Sequence, residues 1–289
     1  MIHEIFKRYW FERIVLHIKK KGLISFLKNG TIFILGLLSP KKVGAIPFSY
    51  FFKKKRRLNK KFCDQNLLDF DDVNIERYFN YYLNTKKIES KPIVYSFGIG
   101  GQIKFEEILS EKFDTEVYCY DPTSDDFINN YSGRKKIKLF PYGIWNKDGK
   151  IKFYYRDGKK EMGASITNYF DADERDFSEE LECYTLKTLI EKNNHTKIDI
   201  LKMDIEGAAI DVLENILNDK IYPEQILAEF EFSESDNLNK EDIQKYNEFE
   251  LRLKKLIDRL RSLNYKCYNM PRFTNHPYHS IEALFVKSH

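Results

Sequence analysis

Cysteine is scarce in this chain of 289 residues, and the four present, Cys63, Cys119, Cys183 and Cys267, form no CxxC pair. Such spacing excludes a disulfide framework and a zinc ribbon, and it points to a reducing, cytoplasmic compartment. The first 29 residues lack the uninterrupted apolar core of a signal peptide, because charges run through them. Long apolar runs are missing too. The stretch from Leu23 to Leu38 is broken by Lys28, and the twelve uncharged residues between Lys28 and Lys41 fall short of the ~20 that a membrane span needs. No internal repeat or low-complexity tract competes with a globular reading. What is present is material for a core: 42% hydrophobic and 15% aromatic side chains exclude wholesale disorder.

The formal net charge of +4 conceals a split. Residues 1–62 hold sixteen Lys/Arg against two acids, whereas the remainder holds 32 against 42. A chain divided in this way has two parts with different jobs, or a basic surface that meets an anion. Ile2, Phe6, Tyr9, Trp10, Ile14 and Ile18 recur at helical spacing, so residues 1–85 read as a basic, mostly helical extension. Lys53–Arg57 with Lys60 and Lys61, beside Trp10, Phe48 and Phe51, suits peripheral contact with anionic lipid through residues 1–62. A solvated face capping the next domain is the plainer reading, and nucleic acid is the least favoured partner.

After Glu89 the texture changes to short β-rich runs separated by helical stretches. Strands are predicted at Ile93–Phe97, Glu116–Tyr120, Ile137–Pro141, Ile198–Met203 and Ile226–Phe232, and helices at Gln102–Phe113, Leu186–Asn193, Ala208–Leu217 and Glu241–Leu263. Tyr265–Met270 and Ile281–Val286 close the chain as a hairpin. Residues 86–289 are therefore expected to form an α/β domain: a doubly wound, mostly parallel sheet with an antiparallel last strand.

In that architecture ligands sit at the carboxyl ends of the strands. The first strand ends in Ser96-Phe97-Gly98-Ile99-Gly100-Gly101, where spaced glycines admit a ligand close to the main chain. The second ends at Asp121, placed to accept the hydroxyl hydrogens of a ribose. A dinucleotide fingerprint wants glycine at position 103, which is Ile103, so adenosine without pyrophosphate is favoured over a nicotinamide cofactor. The fourth strand delivers Asp199-Ile200-Leu201-Lys202-Met203-Asp204-Ile205-Glu206-Gly207, whose carboxylates Asp204 and Glu206 should face the crevice. Lys202 is a candidate to pair with either acid. Two carboxylates without a clear third ligand make no metal site, so none is expected. The acidic tract Asp171–Glu182 reads as a surface loop.

These segments, with Tyr120-Asp121-Pro122-Thr123, Gly143, Ala164-Ser165-Ile166 and Gln225–Phe230 in this order, resemble the FkbM family of class I, S-adenosylmethionine-dependent methyltransferases. The resemblance implies S-adenosylmethionine as cofactor, bound around Ser96, Phe97, Gly98, Gly100, Gly101 and Gly143, with Asp121 on the ribose and Asp204 near the methionine end or the acceptor. It further implies transfer to a hydroxyl, with a sugar or glycan precursor as the acceptor expected by analogy. The family pattern Asp-x-Glu-Gly-x-Glu is broken by Ala209. Transfer to a hydroxyl needs a base, which leaves Asp204, Glu206, His276 and His279 as catalytic candidates.

Overall fold

The structure is a computed structural model that describes residues 54–69, 74–100, 102–123, 136–155, 164–167, 178–232, 238–270 and 279–288. The expected helix at Ile2–Ile18 lies outside these residues, as do His276 and Gly101.

Helix α1 (Lys54–Asn66) is followed by a hairpin of β1 (Ile75–Tyr78) and β2 (Tyr81–Asn84). The α/β succession then begins: β3 (Val94–Phe97), α2 (Lys104–Lys112), β4 (Val117–Tyr120) and β5 (Ile137–Phe140). Four strands come next, β6 (Gly143–Ile144), β7 (Gly149–Tyr155), β8 (Ala164–Ser165) and β9 (Ser178–Tyr184). The chain continues through α3 (Leu186–Lys192), β10 (Ile200–Met203), α4 (Ala209–Asn218) and β11 (Gln225–Phe230). It closes with α5 (Lys240–Ser262), β12 (Tyr265–Asn269) and β13 (Ile281–Lys287).

Seven strands form one mixed sheet in the order β12-β13-β11-β10-β3-β4-β5. β11, β10, β3, β4 and β5 run parallel, and β13 pairs antiparallel with both of its neighbours. The central strands β3, β10 and β11 are buried on both faces, as a sheet covered on both sides requires. Their residues alternate between two cores. Tyr95, Phe97, Leu201, Met203, Ile226 and Ala228 pack with α1, α3, α4 and α5, whereas Val94, Val117, Cys119, Ile200 and Leu227 pack with α2 and the β1–β2 hairpin.

Three features differ from the sequence reading. The β1–β2 hairpin was not expected, because its Tyr-rich, charged residues show no clear alternation. It is latched to the large sheet by Gln225, whose Oε1 accepts the Asn84 N–H at 2.8 Å and whose Nε2 donates to the Asn84 carbonyl at 3.0 Å. Second, part of the acidic tract is not a loop: Ser178–Tyr184 is an inner strand of the small sheet β6-β9-β7-β8, its Glu180 opposite Lys152 and Glu182 opposite Lys150. Third, the Lys53–Arg57 cluster falls largely on α1, which buries Phe62 and Cys63 in the main core, and Lys55 and Arg56 are buried with it. Among the described residues no helix is long and apolar enough to cross a membrane.

Candidate functional site

The carboxyl ends of β3, β4 and β10 border a cleft of about 310 Å³. Its floor is the turn after β3. The Gly98 N–H donates to the Tyr120 carbonyl at 3.1 Å, and the Asp204 N–H donates to the Phe97 carbonyl at 3.1 Å, which ties the three strand ends together. Gly98 is in the left-handed region at φ +71°, and a Cβ there would lie 1.6 Å from the Asp204 carbonyl oxygen, so the contact admits glycine alone. Gly100 is also left-handed, at φ +51°, but its Cβ position meets nothing within 4 Å. That bare side of the loop is where a ligand can approach the backbone.

Asp121 organises this loop. Its Oδ2 accepts the N–H groups of Ile99 and Gly100, both at 3.1 Å, while Oδ1 accepts the Thr123 N–H at 2.9 Å and the Thr123 hydroxyl at 2.7 Å. A carboxylate has about four acceptor positions, so this one is filled by the loop it clasps. The sequence reading gave it a ribose; in the structure it shapes the turn that a nucleoside would meet. On the other side of the same peptide unit, the Gly98 carbonyl accepts the Lys202 ammonium at 2.6 Å. Lys202 is buried under the Tyr81 ring, 5.4 Å from its centroid.

Asp204 and Glu206 both line the cleft, as expected. Tyr81 donates its hydroxyl hydrogen to Asp204 Oδ2 at 3.0 Å. Glu206 sits at φ +46° and Gly207 at φ +84°, and the Ser165 hydroxyl of β8 donates to the Glu206 carbonyl. A non-glycine residue in this region stores on the order of 1 kcal/mol of strain, here held by the second sheet. Phe97 and Gly143 also line the cleft. Gly143 is required by packing, since a Cβ would come 2.5 Å from the Cys183 Sγ.

Other predicted residues lie elsewhere. Ser96 is fully buried and does not itself line the cleft; it donates its hydroxyl hydrogen to Glu106 Oε1 at 2.6 Å. His279 precedes β13, its carbonyl accepts the Asn59 side chain at 3.2 Å, and it does not line the cleft. Ile103, the position a dinucleotide fingerprint would give to glycine, is buried in the α2-side core. Among the described residues no group of three His, Cys, Asp or Glu is placed to hold a metal.

A family model described as the methyltransferase FkbM domain matches residues 74–267, more than half of the chain. The chain belongs to the FkbM methyltransferase family. Among solved structures it is similar to the methyltransferase FkbM from Methylobacillus flagellatus KT, at 12% identity and a TM-score of 0.41, over 80% of this chain and 58% of that one. It is also similar to the plantazolicin methyltransferase BpumL in complex with SAH, at 12% identity and a TM-score of 0.34, with 100% of each chain covered. No curated protein matches the sequence.

The FkbM match begins at residue 74 and so takes in the hairpin that carries Phe79, Asn80 and Tyr81 to the cleft. Sequence reasoning missed these residues, and it gave Phe105 and Glu106 no role although they also line the cleft. Only the Tyr81 aromatic signal was visible in the sequence, with nothing near it to suggest a partner 123 residues away.

Proposed function

We propose that this FkbM-family chain is an S-adenosylmethionine-dependent methyltransferase that methylates a hydroxyl, with a sugar or glycan precursor as acceptor. The observation that carries the reading is the Asp121-clasped loop with Gly100 bare toward a cleft that ends in Asp204. The loop backbone, Phe97 and Thr123 would hold the nucleoside, with the Thr123 hydroxyl turning aside to free Asp121 Oδ1 for one ribose hydroxyl. S-adenosylmethionine supplies an electrophilic methyl group on sulfur. The chain's own task is to align the acceptor oxygen in line with that methyl and to take its proton. Asp204, oriented by Tyr81, and Glu206, held at its strained turn, are the bases in reach of the cleft. The sugar acceptor rests on analogy within the family.

The same proposal places the protein at the cytoplasmic membrane face, with contact made by basic residues other than the buried Lys55 and Arg56. Because α1 belongs to the core, the informative truncation removes residues 1–51, and loss of sedimentation with anionic vesicles is the expected result.

Titration calorimetry with S-adenosylmethionine and S-adenosylhomocysteine tests the central reading. A ligand at ~100 times its dissociation constant stabilises the fold by about 2.7 kcal/mol, which a thermal shift detects. Binding by the wild type that is lost in Asp121→Ala supports the pocket; no binding at millimolar nucleoside sinks it. Label transfer to lipid or protein fractions and never to glycan precursors would replace the acceptor.

A further inference from the structure

The α2-side face of the sheet carries two opposite charges that do not meet. Ser96 of β3 is in register with Lys202 of β10 and with Cys119 of β4, so the three share one face. The Ser96 hydroxyl reaches Glu106 Oε1 on the first turn of α2, which brings Glu106 to the same face. Burial raises the Cys119 thiol's pKa well above its ordinary value, the Glu106 charge raises it further and the Lys202 charge lowers it, so both charges lie within reach of one thiol.

Glu106 and Lys202 are 1% and 3% exposed and both line the cleft. Among the described residues, Glu106 Oε2 is buried with no hydrogen-bond partner, and no ion pair within 4 Å joins it to Lys202. Among the described residues Lys202 gives one of its three N–H groups to the Gly98 carbonyl and has two donors left for another acceptor. A buried carboxylate oxygen without a donor is costly, and a buried ammonium with spare donors is too. A ligand with both charges, an ammonium beside a carboxylate, complements the pair.

We propose that Glu106 and Lys202 bind the α-amino-acid end of the methyl donor, Glu106 taking its ammonium and Lys202 its carboxylate. This assignment rests on the methyltransferase reading and deepens it. With Asp121 and Thr123 at the β4 end of the cleft and Glu106, Lys202 and Tyr81 at the hairpin end, the nucleoside and the amino acid occupy opposite ends. The hairpin then has a function: Phe79–Tyr81 cover the charged end and exclude water from it.

The test compares ligands that differ only at that end. Calorimetry of the full chain with S-adenosylhomocysteine, its analogue without the carboxylate, and 5′-methylthioadenosine, which lacks the whole amino acid, is run on the wild type and on Glu106→Gln. Glutamine keeps an acceptor for Ser96 and loses the charge. The expected results are at least tenfold tighter wild-type binding of S-adenosylhomocysteine than of either truncated ligand, and at least a tenfold loss of S-adenosylhomocysteine affinity in Glu106→Gln. Methylthioadenosine affinity should stay within about twofold in that variant, which also reports a folded pocket. Equal losses for both ligands, or no loss, would overturn the assignment. So would a wild type that binds methylthioadenosine as tightly as S-adenosylhomocysteine, a result that stands even if the variant does not fold. A wild type that binds none of the three refutes the methyltransferase reading itself, and this assignment with it.

Discussion

Gly98 and Gly100 are two residues apart, both left-handed and both on the cleft loop, yet alanine should act on them in opposite ways. At Gly98 the new Cβ would lie 1.6 Å from the Asp204 carbonyl oxygen and 2.7 Å from its carbon. A carbon and a carbonyl oxygen approach no closer than about 3.3 Å, so the ends of β3 and β10 must part by roughly 1.7 Å. That breaks the Asp204 N–H bond to the Phe97 carbonyl and the Lys202 bond to the Gly98 carbonyl, each of which contributes about 1 kcal/mol. Overpacking adds about 1–3 kcal/mol and the left-handed backbone about 1 kcal/mol. Gly98→Ala should therefore cost about 4–6 kcal/mol, and Gly100→Ala only the last of these, about 1 kcal/mol. In a domain of this size the corresponding falls in Tm are on the order of 8–24 °C and 2–4 °C. Gly100→Ala places its methyl group on the bare side of the loop, so S-adenosylhomocysteine affinity should drop while the fold persists. Urea or thermal unfolding of both variants, with calorimetry on Gly100→Ala, checks the reasoning. A Gly98→Ala protein that melts within a few degrees of Gly100→Ala would refute it, because the strand ends would then not be in contact as described.

Tyr81→Phe removes the hydrogen bond to Asp204 and should lower kcat for methyl transfer while costing only about 1 kcal/mol of stability; unchanged kcat would remove Tyr81 from the acceptor end. Gln225→Ala removes both hydrogen bonds that its side chain makes to the Asn84 backbone, a cost of about 2–3 kcal/mol. It should speed hydrogen exchange at residues 81–84 and weaken S-adenosylhomocysteine binding from outside the cleft, so full protection in the variant would count against the latch. Burial lowers the pKa of His195, only partly offset by Glu116, and the Tyr95 hydroxyl lies 2.9 Å from its Nδ1. The unfolded chain then binds the proton more readily, so the stability contributed by neutral His195 is present above pH 6.5 and is lost as pH falls below it. Urea midpoints at pH 7.5 and 5.5 should diverge more in the wild type than in His195→Gln; equal divergence would refute the assignment.

The order of strands and helices from residue 93 onward was legible because each strand is a short apolar run and each helix repeats its apolar residues every three to four positions. Strand ends are also legible, and they assign Gly98, Asp121, Asp204 and Glu206 to the one crevice that all four line. Local pattern could not reveal the β1–β2 hairpin, whose stability comes from Gln225, Leu83 and Tyr78 meeting residues distant in sequence. The same holds for β9: its glutamates read as a solvated loop, and only pairing with Lys150 and Lys152 on β7 makes them a strand.

By itself, then, the sequence determined the mostly parallel character of the sheet, the end of it that borders the cleft and the glycines of the loop there, since these depend on periodicity and on backbone freedom at single residues. The direction of side chains was decided by tertiary structure. Asp121 turns to the loop amides, Ser96 to Glu106 and Lys202 to the Gly98 carbonyl because each buried polar group takes the partner that three-dimensional packing brings within hydrogen-bond range. That partner comes from another strand or helix, which no local window of sequence contains.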